Sequence, residues 1–240
     1  LRALKKYWLI LVLIIGLILF FSLGGQQYLS FQMLADNYQN LQGFTQQHYF
    51  ISVVIFMLAY ILIVAFSIPG ATLMTLLGGF LFGVIFGGIW VVLSATIGAT
   101  ITYLAVKTAF AEALKEKAHG SIQKMRDGFR ENEFNYLIFL RLLPIFPFFI
   151  INIAAGVLGV SLRAFFIGTL LGIIPGSFIY AWVGSGLGFA LSQGESINMK
   201  IIFAPQILLP IIGLAILSII PIVYKKLKAK NTNKSPSKER

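Results

Sequence analysis

Apolar runs recur along the chain with short polar stretches between them: Tyr7–Leu23, Tyr49–Phe86, Gly87–Ala109, Phe134–Val160, Ala164–Leu191 and Ile201–Tyr224. A hydrocarbon core of about 30 Å takes about 20 helical residues at roughly 1.5 Å each. The first and last runs predict simple spans, and the first reads as a retained helix rather than a cleaved leader. Two of the others are broken. Tyr49–Phe86 carries Pro69-Gly70 and then Gly78-Gly79 in its interior, and Phe134–Val160 carries Pro144 and Pro147, residues that interrupt helices. The polar stretch before each broken run has helical spacing of its own, Phe31, Leu34, Tyr38 and Leu41 in one and Ile122, Met125 and Phe129 in the other. Both stretches predict helices lying on the membrane surface.

Composition agrees with this pattern. The chain is 58% hydrophobic and 11% charged, the signature of a polytopic membrane protein. Its net charge of +11 sits at the ends of apolar runs and in the tail, which fits anionic lipid surfaces and not nucleic acid. The absence of cysteine removes disulfides, thiolate nucleophiles and thiolate-held metals.

Lys and Arg mark the cytoplasmic side of short loops. They group at Arg2, Lys5 and Lys6, from Lys107 through Arg130, and from Lys225 to Arg240, whereas residues 24–48 hold none. With the basic groups cytoplasmic, both termini lie there, and Tyr49–Phe86 must start and end outside. Phe134–Val160 must start and end inside. About 27 residues cannot cross twice at about 20 each, so the second hairpin is expected to be re-entrant; the first is long enough for either depth.

One offset places Pro69 over Pro147, Gly78 over Gly156 and Gly98 over Gly176, with Tyr103 and Tyr180 one position out of step. The order of elements repeats too. One hairpin opens outside and the other inside, as in transporter folds whose discontinuous helices meet near the midplane. The expected fold is therefore an all-α polytopic membrane protein: an inverted repeat of two re-entrant helical hairpins, each followed by a transmembrane helix, plus N- and C-terminal transmembrane helices. It divides into an N-terminal span (1–27), a core (28–191) with hairpins at 49–86 and 134–160, a C-terminal span (192–224) and a basic disordered cytoplasmic tail (225–240).

Few residues in the apolar runs can carry chemistry. Arg141, in "FLRLLPIFPF", is costly at membrane depth and either faces a cavity or a phosphate or snorkels to the interface. Arg163, at the other end of the hairpin, is either a partner of Arg141 on one anionic group or a positive-inside anchor. Asn152 is an amide well inside an apolar run, either interhelical glue or a group facing a polar ligand. Pro69-Gly70 and Pro144/Pro147 are expected as hairpin tips, with Ser67 and Thr72 available to satisfy freed backbone. Gly78, Gly79, Gly83, Gly156 and Gly176 are expected to pack the hairpins closely. No Asp or Glu occurs between Asp36 and Glu112 or between Glu133 and Glu195, and both histidines lie in polar connections. A carboxylate relay, a metal site and a nucleophile–base pair thus have no candidates; no enzyme activity and no cofactor is expected.

The segments "SIPGATLMTLLGGFLFG" and "FLRLLPIFPFFIINIAAGVLGVSLRAFFIGTLLGIIPGSFIYAWVGSGLG" resemble the DedA superfamily, also called VTT-domain or SNARE-associated Golgi proteins, in its bacterial Tvp38-like branch. The resemblance implies two facing re-entrant hairpins and a role in moving phospholipids or polyprenyl-phosphate carriers between leaflets. By position it points to Pro69, Gly70, Arg141, Pro144, Pro147 and Asn152 as the path of a headgroup. Acidic residues that accompany proton coupling in such proteins are missing here. The leading expectation is a lipid translocase or scramblase of the cell membrane acting on lipids with anionic phosphate headgroups. The alternatives are a secondary transporter of a small solute or ion, and a non-transporting membrane organiser. A homo-oligomer is allowed but not required.

Overall fold

The computed structural model describes residues 2–28, 36–116, 132–142 and 146–192, with isolated positions between 205 and 213. Every longer regular element among them is helical: α1 (Arg2–Ser22), α2 (Tyr38–Gln47), α3 (Tyr49–Ala65), α4 (Ala71–Glu116), α5 (Glu133–Leu142), α6 (Phe148–Leu158) and α7 (Leu162–Ser192). Two stretches, Ala71–Phe110 and Leu162–Ser192, are long and apolar enough to cross a membrane; α2 and α3 meet at a bend of 118° and would add a third as a pair. The expected second surface helix, the tip residue Pro144 and nearly all of the expected C-terminal span lie outside the described residues.

The first broken run forms an antiparallel hairpin. Helix α3 ends where the Ile68 amide bonds the Ile63 carbonyl and the Ser67 amide bonds that of Val64, both at 2.9 Å. These are the two bonds of a Schellman stop. Ser67 takes the left-handed position at φ 55°, and Pro69 follows, unable to continue the helix. The chain reverses there. Down the hairpin, Tyr60 meets Ala71 and Thr75, and the rings of Phe56 and Tyr49 lie 5.4 and 5.7 Å from that of Phe82. The returning arm therefore ends level with where α3 began.

Helix α4 is two helices joined at Gly83, whose φ of 75° and ψ of −179° are not helical. That backbone conformation is essentially confined to glycine, so Gly83 is the hinge between the hairpin's second arm (71–82) and the long helix after it. It was expected to pack the hairpin; instead its Cβ position is open space, as is that of Gly176. Both depart from the expectation, Gly83 because the chain turns there and Gly176 because no atom of the described residues lies within 4 Å of its Cβ position.

The second run repeats the arrangement. Helices α5 and α6 form the arms, with Pro147 as the N-cap residue of α6, and a Schellman stop at Gly159 ends it through Val160 N–Ala155 O and Gly159 N–Gly156 O bonds of 3.2 Å. The Ser161 amide donates to Glu133 Oε2 at 2.9 Å, so this hairpin, too, ends beside its own start. That carboxylate lies at the N-terminus of α7, where the helix dipole favours negative charge.

The hairpins exchange partners. The first arms stay with the long helix that follows them: a Cβ at Gly98 on α4 would meet Ile61 and Val64 of α3, and one at Gly172 on α7 would meet Arg141 and Ile138 of α5. The second arms cross over. A Cβ at Gly79 would run into the backbone of Ala181 on α7, and one at Gly156 would meet Tyr103 and Val106 on α4. Gly78 is confined between Phe56 of α3 and Val91 of the long helix that follows Gly83.

Candidate functional site

The polar centre of the molecule lies in the second hairpin. Helix α5 directs Arg141 across to α6 and α7. Its Nη1 donates to the Phe148 carbonyl at 3.3 Å, and its Nη2 donates to Asn152 Oδ1 at 2.6 Å and Thr169 Oγ1 at 3.0 Å. The guanidinium also lies 4.3 Å from the ring centroid of Phe148 and 5.6 Å from that of Phe165. These distances suit a cation held against aromatic faces.

All of these partners are neutral. Asn152 is fully buried, and its Nδ2, like Arg141 Nε, is buried with no hydrogen-bond partner among the described residues. A buried unpaired charge is expensive, and buried polar groups are normally satisfied. Both unsatisfied groups are donors. The site is therefore complementary to an acceptor, and the positive charge favours an anionic one.

The aromatic contacts continue to the base of the hairpin. The Phe165 ring stacks on Tyr103 with centroids 4.3 Å apart and planes 10° apart. Tyr103 donates its hydroxyl to the Val160 carbonyl at 2.6 Å, and Lys107 Nζ donates to the same carbonyl at 2.8 Å and to the Tyr103 oxygen at 2.7 Å. A tyrosine and a lysine from α4 thus hold the point where the second hairpin ends.

The expected site residues are only partly gathered. Arg141 and Asn152 are bonded to each other. Pro147 is exposed at the opposite end of α6 from Gly159, and Pro69 is exposed beside half-buried Gly70 at the first tip. Arg163 is exposed on the first turn of α7, about 9 Å of helical rise before Thr169; it is not brought together with Arg141. Before Pro69 the carbonyls of Val64, which already accepts the Ser67 amide, and Ala65 are approached by Thr102 Oγ1 of α4 at 3.1 and 3.0 Å, a role the sequence suggested for Ser67 and Thr72.

Thr169, Phe148, Phe165, Tyr103 and Lys107 were not anticipated as members of the site. Tyr103 had one signal, its near-coincidence with Tyr180 in the repeat. Hydroxyl and aromatic residues are too common in apolar helices to stand out alone.

Comparison with known proteins places the Arg141 cluster and its aromatic neighbours inside one family domain: the model of the VTT domain matches residues 68–186, from the first hairpin tip to well along α7. The chain is 35% identical over 197 residues to the Transmembrane protein 41 homolog of Dictyostelium discoideum, covering 78% of this chain and 56% of that one. It is 37% identical over 176 residues to Transmembrane protein 41B of Homo sapiens, covering 71% and 58%. With the Transmembrane protein 41 homolog of Caenorhabditis elegans the figures are 34% over 189 residues, 78% and 74%. The chain thus spans a little over half the length of the first two relatives. No solved structure matches it.

Proposed function

The chain belongs to the VTT-domain family, the DedA/SNARE-associated membrane proteins, and from that premise we propose that it moves lipids between bilayer leaflets as a translocase or scramblase. The observation that carries this reading is the half-buried Arg141, whose guanidinium bonds only neutral groups among the described residues and whose buried Nε, like Asn152 Nδ2, finds no acceptor among them. A lipid phosphate supplies the missing acceptor and the missing charge together, while its acyl chains stay in the surrounding hydrocarbon.

The proposed arrangement is an inverted repeat, with the two hairpins re-entering the bilayer from opposite faces and both termini cytoplasmic. It is supported by the return of each hairpin to its starting level and by the glycine contacts that seat each second arm on the other repeat's long helix. Irregular backbone at a hairpin tip is tolerated in a membrane only where protein or a wet cavity surrounds it. A headgroup path between the tips, through Pro69, Gly70, Pro147 and Asn152, meets that condition.

The test is reconstitution of the full chain into liposomes carrying a labelled phosphatidylglycerol. Leaflet exchange faster than in empty vesicles is expected, with Arg141→Ala slowing it. Equal rates in empty and protein-bearing vesicles would overturn the proposal.

A further inference from the structure

The first hairpin contains a polar cluster that nothing above has used. Tyr60, 2% exposed on α3, and Thr75, 6% exposed on the returning arm, have hydroxyl oxygens 2.8 Å apart. Both donate toward the Ala71 carbonyl, Thr75 at 2.8 Å and Tyr60 at 3.2 Å. Ala71 and Thr75 are the first and fifth residues of their arm, and Phe148 and Asn152 are the first and fifth residues of α6. In each hairpin, then, a long polar side chain from the first arm grips the same two places on the second. One clasp is charged, Arg141 on the Phe148 carbonyl and the Asn152 amide. The other is neutral.

The two clasps also share a property needed for letting go. The carbonyl at a helix's first residue accepts the amide of the fifth in the ordinary helical bond, so the side-chain bonds to Ala71 and Phe148 are additional. Releasing them orphans no backbone group. A hydroxyl proton can rotate to whichever acceptor is presented, and a phosphate oxygen is a stronger acceptor than a neutral carbonyl.

We infer that Tyr60 and Thr75 form a second, uncharged phosphate station, the counterpart of Arg141 and Asn152, so that selectivity for headgroup charge resides in the second hairpin alone. This rests on the lipid-moving reading above. A phosphate leaving Arg141 would be received by two hydroxyls, which hold anionic and zwitterionic headgroups alike because neither carries charge.

The test uses the full chain in vesicles with labelled phosphatidylglycerol or phosphatidylcholine, comparing rate constants at equal final extent of exchange. A partly unfolded preparation lowers the extent instead. Thr75→Val should slow both lipids by the same factor, about three- to tenfold, the rate equivalent of roughly one net hydrogen bond, and Thr75→Ser should keep the wild-type rate. Arg141→Gln should slow phosphatidylglycerol more than phosphatidylcholine. Should Thr75→Val fail to insert, Tyr60→Phe carries the same expectation. Wild-type rates for both Thr75 variants, or slowing of phosphatidylglycerol alone in Thr75→Val, would overturn the inference while leaving lipid movement standing. An inactive wild type would remove both. Millimolar inorganic phosphate should not compete; competition would overturn the lipid assignment in favour of free phosphate.

Discussion

Replacing Gly79 with alanine tests the crossed packing of the hairpins at its tightest point. A Cβ there would stand 2.5 Å from the carbonyl carbon and Cα of Ala181, and nearer still to its oxygen. Backbone atoms have no rotamer to move to, so the two helices must separate. Overpacking typically costs about 1–3 kcal/mol, and a backbone-on-backbone clash belongs at the upper end, about 3 kcal/mol. Against this, alanine is about 1 kcal/mol better than glycine inside a helix, which leaves a net loss of about 2 kcal/mol. Gly176→Ala is the control: its Cβ meets nothing within 4 Å among the described residues, so a helical gain of about 1 kcal/mol is expected to stand alone. Size-exclusion chromatography of detergent-solubilised protein after stepwise heating should show the Gly79 variant melting about 4–8 °C below wild type, with the Gly176 variant at or above it. A Gly79→Ala protein as stable as wild type, or a parallel loss in Gly176→Ala, would refute the packing argument.

Asn152→Asp puts a carboxylate where Oδ1 now lies 2.6 Å from Arg141 Nη2. It should raise the melting temperature, by an interaction of about 1–3 kcal/mol, and slow lipid exchange by occupying the cation; a lower melting temperature with unchanged exchange would contradict both expectations. Thr102→Val removes the hydroxyl shared by the Val64 and Ala65 carbonyls and should cost about 1–2 kcal/mol, with Thr102→Ser close to wild type in the same heating assay. The natural lack of cysteine permits single substitutions at Gly70 and Phe146 for labelling with a membrane-impermeant maleimide. Both sites should react slowly in intact vesicles and quickly in detergent-denatured protein; equal rates in the two conditions would argue against tips held within the bilayer.

The two hairpins were legible because proline and glycine interrupt otherwise unbroken apolar runs, and the breaks coincide under one offset. Arg141 and Asn152 were legible because a guanidinium or an amide in such a run has no inexpensive explanation. The Tyr60–Thr75 clasp was not, since tyrosine and threonine are ordinary in apolar helices, and only folding brings residue 60 against residue 75. Thr102 was missed for a related reason: it serves carbonyls 37 and 38 positions earlier, whereas sequence reasoning looks for a local hydroxyl such as Ser67 or Thr72. Glycine spacing likewise cannot separate a contact from a hinge. Gly79 and Gly83 are one helical turn apart on paper, yet the first is pressed against α7 and the second turns the chain.

Because the returning arm of the first hairpin rests on α7, its partner is absent for much of the time that the protein is being made. Ala181 is polymerised about 100 residues after Gly79, which at about 5–20 residues per second takes about 5–20 s. Throughout that interval the surface around Gly79 can face only lipid, the insertion machinery or a chaperone. A ribosome stalled before residue 181 would leave the early half inserted with that surface uncovered, a natural mark for quality-control proteases.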